Sequence, residues 1–279
     1  MANYTTADIK ALREKTGAGM LDVKKALDEA DGDAEKAIEI IRVKGLKGIA
    51  KREGRSATAG LIAAKVVEDG GSQVGVLVEV NAETDFVAKN EKFIDFAAKV
   101  LDAAIASGAQ TAEELAEAAA DGGSVKELTD SMQAVIGEKI VVRRVARLAA
   151  PRVDTYLHRT NPDLPAQVAV LVGTDEAAAE VAHDIAMHIA AYSPLYLARE
   201  DVPEETVAKE RAIAEETTRA EGKPEKAIPK IVEGRLSGFF KENVLVDQAF
   251  AKDPKTTVGK VVEATGGELT GFVRFRVGA

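Results

Sequence analysis

The sequence predicts an α+β fold, and three observations carry that reading. A strand–turn–strand–helix pattern occurs twice. Leu61 to Val67, a Glu68-Asp69-Gly70-Gly71 turn, Val74 to Val80 and a helix from Asn90 to Ser107 form the first unit. Val153 to Leu157, a Pro162/Pro165 loop, Val168 to Val172 and an alanine-rich helix from Asp175 to Tyr192 form the second. Hairpin strands followed by helices imply antiparallel sheets, each covered by helices on one side. Residues 1–45, ahead of the first unit, carry the periodicity of three short helices. Finally, 279 residues at 46% hydrophobic content suffice for two or three cored units.

Residues 1–45 read as three short helices. Thr5 or Thr6 caps the first, Ile9 and Leu12 give it an apolar face, and Gly17 ends it. Met20, Val23 and Leu27 share a face of the second, closed by Asp31-Gly32. Asp33 starts the third, with Ala37, Ile38 and Ile41 inward and Gly45 past its end. So small a bundle is a marginal domain, suited to docking. Residues 46–59 read as a basic linker. Arg42, Lys44, Lys47, Lys51, Arg52 and Arg55 surround only Glu53, interspersed with Gly45, Gly48 and Gly54. Cations complementing a helix end and a solvated linker account for this run; an RNA contact would lack an aromatic platform.

Residues 60–149 form the first core unit and 150–279 the second. Within the first, Thr111–Ala120 and Ser124–Ile136 read as helices and Lys139–Leu148 as a further strand. After Pro203 a charge-rich helix runs from Glu204 to Glu221, Gly222-Lys223-Pro224 breaks it, and a second helix reaches about Glu242. Ile228, Ile231, Val232, Leu236, Phe239 and Phe240 form a helical stripe there, while Pro229 leaves its start open. Such a pair at 203–242 either stands out as an antiparallel hairpin or lies on the core. Leu245 to Phe250 and Glu268 to Val277 read as strands returning to the second unit.

Composition excludes several classes of function. Without cysteine there are no disulfides, thiolate zinc sites or cysteine nucleophiles. A net charge of −9 argues against generic nucleic-acid binding. The longest apolar runs are too short to cross a bilayer, and Met1-Ala2-Asn3-Tyr4 opens without a secretory pattern, so a cytoplasmic protein is expected. His158, His183 and His188 are the only histidines. His183 and His188 are five apart on one predicted helix, whereas metal sharing prefers four. No phosphate-binding loop is present, and Thr16-Gly17-Ala18-Gly19 joins two helices, so it reads as a turn. No nucleophile, base and orienting partner assemble. We therefore expect no enzyme, no metal and no cofactor; the competing class is a metal-assisted enzyme using His183, His188 and nearby carboxylates.

The most informative stretch is Glu79-Val80-Asn81-Ala82-Glu83-Thr84-Asp85-Phe86-Val87-Ala88-Lys89. It places an aromatic residue beside a carboxylate between a β-branched strand and a long helix. Either Thr84 or Asp85 caps that helix with Phe86 packed beneath its first turn, or Phe86 stands out for insertion elsewhere.

This stretch resembles the signature of the elongation factor Ts family, the nucleotide exchange factors of bacterial elongation factor Tu. Leu12 to Leu27 is similar to the family's amino-terminal signature. Ile136-Gly137-Glu138, Met187-His188-Ile189-Ala190 and Gly271-Phe272-Val273-Arg274-Phe275 resemble further family segments in family order. The resemblance implies a ubiquitin-associated-like amino-terminal domain, a core of two similar subdomains and a protruding helical hairpin. It implies a partner, GDP-bound elongation factor Tu, and no direct binding of nucleotide by this chain. Thr84, Asp85, Phe86 and Val87 would then disturb the partner's magnesium site. Phe86 would enter an apolar pocket near the switch region while Asp85 displaces the groups holding the ion.

Met20 and Lys24 match family contacts on the first domain; read without the resemblance they are a core methionine and a surface lysine. Ile136 and Gly137 match a contact at a helix end, where a glycine helix stop is the plain reading. His158 matches a family histidine, but Arg159-Thr160-Asn161-Pro162-Asp163-Leu164-Pro165 departs from the family's usual run after it. The sequence ends at Ala279, so the extra carboxy-terminal helix of some members is expected to be absent. The alternative is a passive partner that stabilises a GTPase without speeding exchange.

Overall fold

A computed structural model describes residues 3–16 and 18–279. Three helices, α1 (Thr6–Thr16), α2 (Met20–Glu29) and α3 (Ala34–Arg52), close on a small core of Leu12, Val23, Ala26, Leu27, Ala37 and Ile41. Thr5 and Asp8 cap α1 reciprocally: the Asp8 amide donates to Thr5 Oγ1 (3.2 Å) and the Thr5 amide to Asp8 Oδ2 (2.7 Å). Gly17, the expected stop of this helix, lies outside the described residues. Asp33 caps α3 by accepting from the amides of Glu35 and Lys36.

Two expectations for this region fail. Met20 is not on the buried face of α2 but 59% exposed. Nor does α3 end at Gly45; it runs on to Arg52, so the first half of the expected linker is helix. Gly45 marks a crossing, because a Cβ there would lie 2.4 Å from Ala134 Cβ. The glycine lets α3 press against α7 (Val125–Ile136), and its helix-breaking tendency of about 1 kcal/mol is overridden by that packing. Gly45→Ala should therefore lower stability by about 1–2 kcal/mol despite its better helix propensity, since overpacking outweighs it. Thermal melts would check this, and adding Ala134→Gly should restore the loss.

The first sheet has the order β1 (Ala59–Asp69), β2 (Ser72–Ala82), β5 (Ile140–Ala150), all antiparallel. Gly70 and Gly71 take φ of 59° and 95° between the paired Asp69 and Ser72, the left-handed pair a two-residue hairpin demands. The one-turn helix α4 (Asp85–Ala88) follows β2, then α5 (Glu91–Ser107), capped by the Asn90 side chain on the Lys92 amide. α5 buries Phe93, Phe96, Ala97, Val100 and Ala104 against Val76, Val78 and Val80 of β2. The expected helix at Thr111–Ala120 is shorter, α6 (Ala112–Glu117), and leads into a small ribbon of β3 (Ala119–Ala120) and β4 (Gly123–Ser124). Ser124 and Glu127 then form a capping box for α7.

The second sheet has the order β6 (Arg152–His158), β7 (Val168–Thr174), β8 (Leu269–Arg276). Helix α8 (Ala179–Tyr192) covers one face through Ala182, Ile185, Ala186 and Ile189. The remaining faces of the two sheets meet each other. Ile62, Leu77 and Ala150 of one pack on Val153, Ala169, Leu171 and Phe275 of the other. A Cβ at Gly75 would lie 2.8 Å from both Leu171 Cδ2 and Val153 Cγ1, so glycine permits this close approach. The core is thus four layers, helix on sheet on sheet on helix.

Helices α9 (Glu204–Ala220) and α10 (Ile228–Asn243) form an antiparallel pair with its own apolar seam of Ala214, Ile228, Val232, Leu236 and half-buried Phe240. Pro229 sits in the first turn of α10, where its missing N–H is harmless. Ile231 and Phe239, expected in the same stripe, are only partly covered. Leu245–Phe250 is not a strand: Leu245–Asp247 is a single 3₁₀ turn whose Leu245 is fully buried. A short apolar run does not reveal its own conformation. A further helix, α11 (Val258–Glu263), capped by Thr257, was not anticipated.

Candidate functional site

The site is built where β2 ends. Asn81 is buried and donates to Ala59 O (3.1 Å) and to Glu79 Oε1 (3.0 Å), securing the strand to its exit. Two residues later the chain turns into α4. Val87 and Ala88 face inward and are buried, Asp85 faces solvent, and Phe86 is 79% exposed. Phe86 packed beneath the following helix is therefore ruled out. With Val87 and Ala88 already filling the space below one helical turn, Phe86 is left on the outer side. A phenyl ring in that position forgoes about 1.5–3 kcal/mol of burial. Lys89 Nζ lies 5.2 Å from the ring centroid.

Thr84 occupies the N-cap position of α4 yet makes no side-chain cap. Its hydroxyl instead donates to Glu138 Oε1 (2.8 Å), and its amide donates to Glu138 Oε2 (3.1 Å). The partnership is reciprocal across the two segments, since the Lys139 amide donates to Glu83 Oε1 (2.6 Å). Gly137, with φ 82°, terminates α7 in the left-handed conformation and turns the chain so that Glu138 meets Thr84. The segment after α3 joins this network. Arg55 Nη1 donates to Glu83 Oε2 (3.2 Å), and Lys139 Nζ donates to Glu53 O.

An open cleft of about 780 Å³ lies between the first domain and this corner, lined among others by Arg13, Gly19, Phe86, Val87 and Ile136. A smaller one of about 310 Å³ lies beside it, lined among others by Gly45, Arg52, Ile136 and Gly137. Of the residues singled out in the sequence, Phe86, Val87, Ile136 and Gly137 thus border one or other of two neighbouring clefts that share Gly19, Val135 and Ile136. Met20 follows Gly19 at the rim, beside Leu21 at 72% exposure, and Lys24 is exposed one turn further on. The pair Met20-Leu21 forms an exposed apolar step, of which sequence reasoning picked out only the first.

His158 does not line either cleft. It is exposed at the end of β6, with Tyr156 OH 3.1 Å from its Nδ1. Topology nevertheless places it at the same end of the double sheet as Thr84. Gln167 donates to Gly60 O (2.8 Å) and the Ile62 amide to Ala166 O (3.0 Å), while Gly60 pairs with Asn81. The proline-containing loop after His158 is largely exposed at that end.

The other two histidines do not form a joint site. His183 is at the surface, its Nδ1 3.0 Å from Asp154 Oδ1. His188 is fully buried: its Nε2 is 2.8 Å from Gln248 Oε1, its Nδ1 accepts from the Ala251 amide (3.2 Å), and its ring stacks on Tyr192. Both nitrogens are engaged in holding the loop after α10, so the metal-assisted enzyme reading loses its ligand pair. Among the described residues no three carboxylates and histidines gather as a metal site, and no helix is long and apolar enough to cross a membrane.

Burial holds the His188 pKa below its ordinary 6.5, against the opposing hydrogen bond to Gln248. The unfolded chain therefore takes up a proton that the folded chain refuses. Stability is full above about pH 6.5 and declines as pH falls towards the folded value, by at most about 1.4 kcal/mol per unit for this one group. A lower urea midpoint at about pH 5.5 than at about pH 7.5, with the His188 ring of the folded chain titrating by NMR below its ordinary value, would be the expected result.

Comparison with known proteins adds an independent line. The family described as "Elongation factor TS" matches residues 83–279. The chain is 69% identical to a protein named "Elongation factor Ts" from Beutenbergia cavernae, with both chains covered in full. It is 65% identical to the protein of that name from Micrococcus luteus and 63% identical to that from Renibacterium salmoninarum, again over the whole of both chains.

Proposed function

Because the chain belongs to the elongation factor Ts family, we propose that it binds GDP-bound elongation factor Tu in the cytoplasm and speeds release of the nucleotide. A GTPase retains GDP through phosphate-loop amides, a lysine and a magnesium ion acting together. An exchange factor lowers that retention by offering interface contacts that are available only when part of the network is displaced. Phe86 is the inserted group: it enters an apolar pocket beside the partner's switch region. Asp85, on the same exposed turn, takes up hydrogen bonds there and draws away the groups that hold magnesium. Thr84 and Val87 seat the turn. Linkage makes the effect mutual: by whatever factor the chain weakens GDP binding, GDP weakens binding of the chain. GTP then rebinds and the factor leaves.

The single observation that carries this reading is the exposure of Phe86, 79% in water, on a turn anchored from below by buried Val87 and Ala88. A ring held in water on an anchored turn is free to enter a partner's pocket, whereas a chain that only held its partner could bury it. Met20 and Lys24 on the first domain, Ile136 and Gly137 at the cleft, and His158 at the same end of the second sheet supply the surrounding contacts. The chain performs no covalent chemistry on the nucleotide and binds none itself. Release of a fluorescent GDP from elongation factor Tu, followed with and without the chain, tests the reading. Binding without acceleration would leave the passive-partner alternative in its place.

A further inference from the structure

We infer that Glu138 is the positioning residue of the exchange turn, acting on Thr84 rather than on the partner; this rests on the exchange reading above. One turn of helix has no stability of its own, because the cost of nucleation is not recovered over four residues. Something outside α4 must hold it. From below, Val87 and Ala88 do so by burial, but burial alone leaves the turn free to rock about that contact. The direction in which Asp85 and Phe86 project is set at the turn's entrance, and Thr84 is that entrance.

Both donors of Thr84, its amide and its hydroxyl, go to the two oxygens of one carboxylate 54 residues away, at 3.1 and 2.8 Å. A two-point attachment fixes rotation as well as position, and a charged acceptor makes each bond stronger than a neutral one would. The Glu138 backbone is itself constrained. The left-handed Gly137 precedes it, and Lys139, which follows it, is bound through its amide to Glu83, the residue before Thr84. The segments 83–84 and 138–139 therefore clasp each other in both directions. The hydroxyl that would ordinarily cap α4 is given up to this clasp, which indicates that holding the turn takes precedence over stabilising it as a helix.

Three variants examined by fluorescent GDP release, over a range of chain concentrations, separate a positioning role from a merely structural one. Glu138→Ala removes both acceptors. The maximal release rate should fall at least about tenfold, since small misplacements of a working group have effects of that order, with a smaller change in the half-saturating concentration. Glu138→Gln can still meet the Thr84 amide with its carbonyl and the hydroxyl with its NH₂, so it should keep most of the maximal rate. Thr84→Val should fall between them. A Glu138→Ala variant with an unchanged maximal rate, a loss confined to half-saturation, or an equal loss in Glu138→Gln would each overturn the assignment. If the wild-type chain fails to speed release, the exchange reading itself falls. Amide hydrogen exchange of the free chain then decides the clasp alone: faster exchange confined to residues 84–90 in Glu138→Ala supports it, and unchanged exchange there refutes it.

Discussion

Phe86→Ala should remove most of the chain's acceleration of GDP release while leaving its melting temperature almost unchanged. The two halves of this expectation come from the same fact. With 79% of the residue exposed, the ring touches little of its own protein beyond Lys89, so truncation deletes almost no folded-state contact. Surface changes of that kind move stability by about 0.5 kcal/mol or less. In a complex the ring would be an aromatic anchor in a dry pocket, the type of residue whose loss exceeds about 2 kcal/mol. At about 1.4 kcal/mol per factor of ten, that is a fall of roughly thirtyfold or more in exchange efficiency. The decisive comparison is a folded Phe86→Ala chain against wild type in the same release assay. If the folded variant releases GDP as fast as wild type, the ring is an ordinary exposed side chain and the insertion mechanism is wrong.

The largest effect on stability is expected at Arg144. Glu79 lies opposite it in the β2–β5 register and is completely buried. Its carboxylate accepts from Arg144 Nε (2.7 Å), Asn81 Nδ2 (3.0 Å) and the Gly278 amide (2.9 Å). Arg144 in turn lies over the Phe275 ring and donates to Arg276 O, so one ion pair ties the first sheet to the last strand of the second. Arg144→Met keeps the apolar stem but strands a buried charge, which costs about 3 kcal/mol or more. Adding Glu79→Gln should recover much of the loss, because a neutral amide can still accept from Asn81 and Gly278. Urea unfolding of the two single variants and the double completes the cycle. A purely additive result would mean that the pair contributes nothing beyond its separate parts.

Much of the fold was legible because it is written in local pattern. Strands β1, β2, β6 and β7 alternate or run apolar between turn residues, and Gly70-Gly71 can hardly be anything but a hairpin. The helical stripe of Ile228, Val232 and Leu236 became the seam of the α9–α10 pair. Local pattern misled where a residue's local tendency was answered from far away. Gly45 reads as a helix stop and is a helix crossing; Leu245 reads as strand and is buried in a single turn. Met20 sat on a plausible apolar face and faces water instead.

The site divides in the same way. Thr84, Asp85, Phe86 and Val87 stood out by residue type and by their place between strand and helix. Glu138 did not, although it lay within a segment already noticed, because an acidic residue after a helix is usually only solvated. By itself the sequence determined the α+β class, the helical amino terminus, the two repeated strand–helix units and the segment that carries Phe86. Periodicity and turn chemistry act over a few residues and are read directly. Only the tertiary structure decided that the two sheets stack face to face, that Phe86 points into water, and that Glu138 meets both donors of Thr84. Each of those depends on groups far apart in the chain, whose meeting is set by packing and by hydrogen bonds that no local pattern encodes.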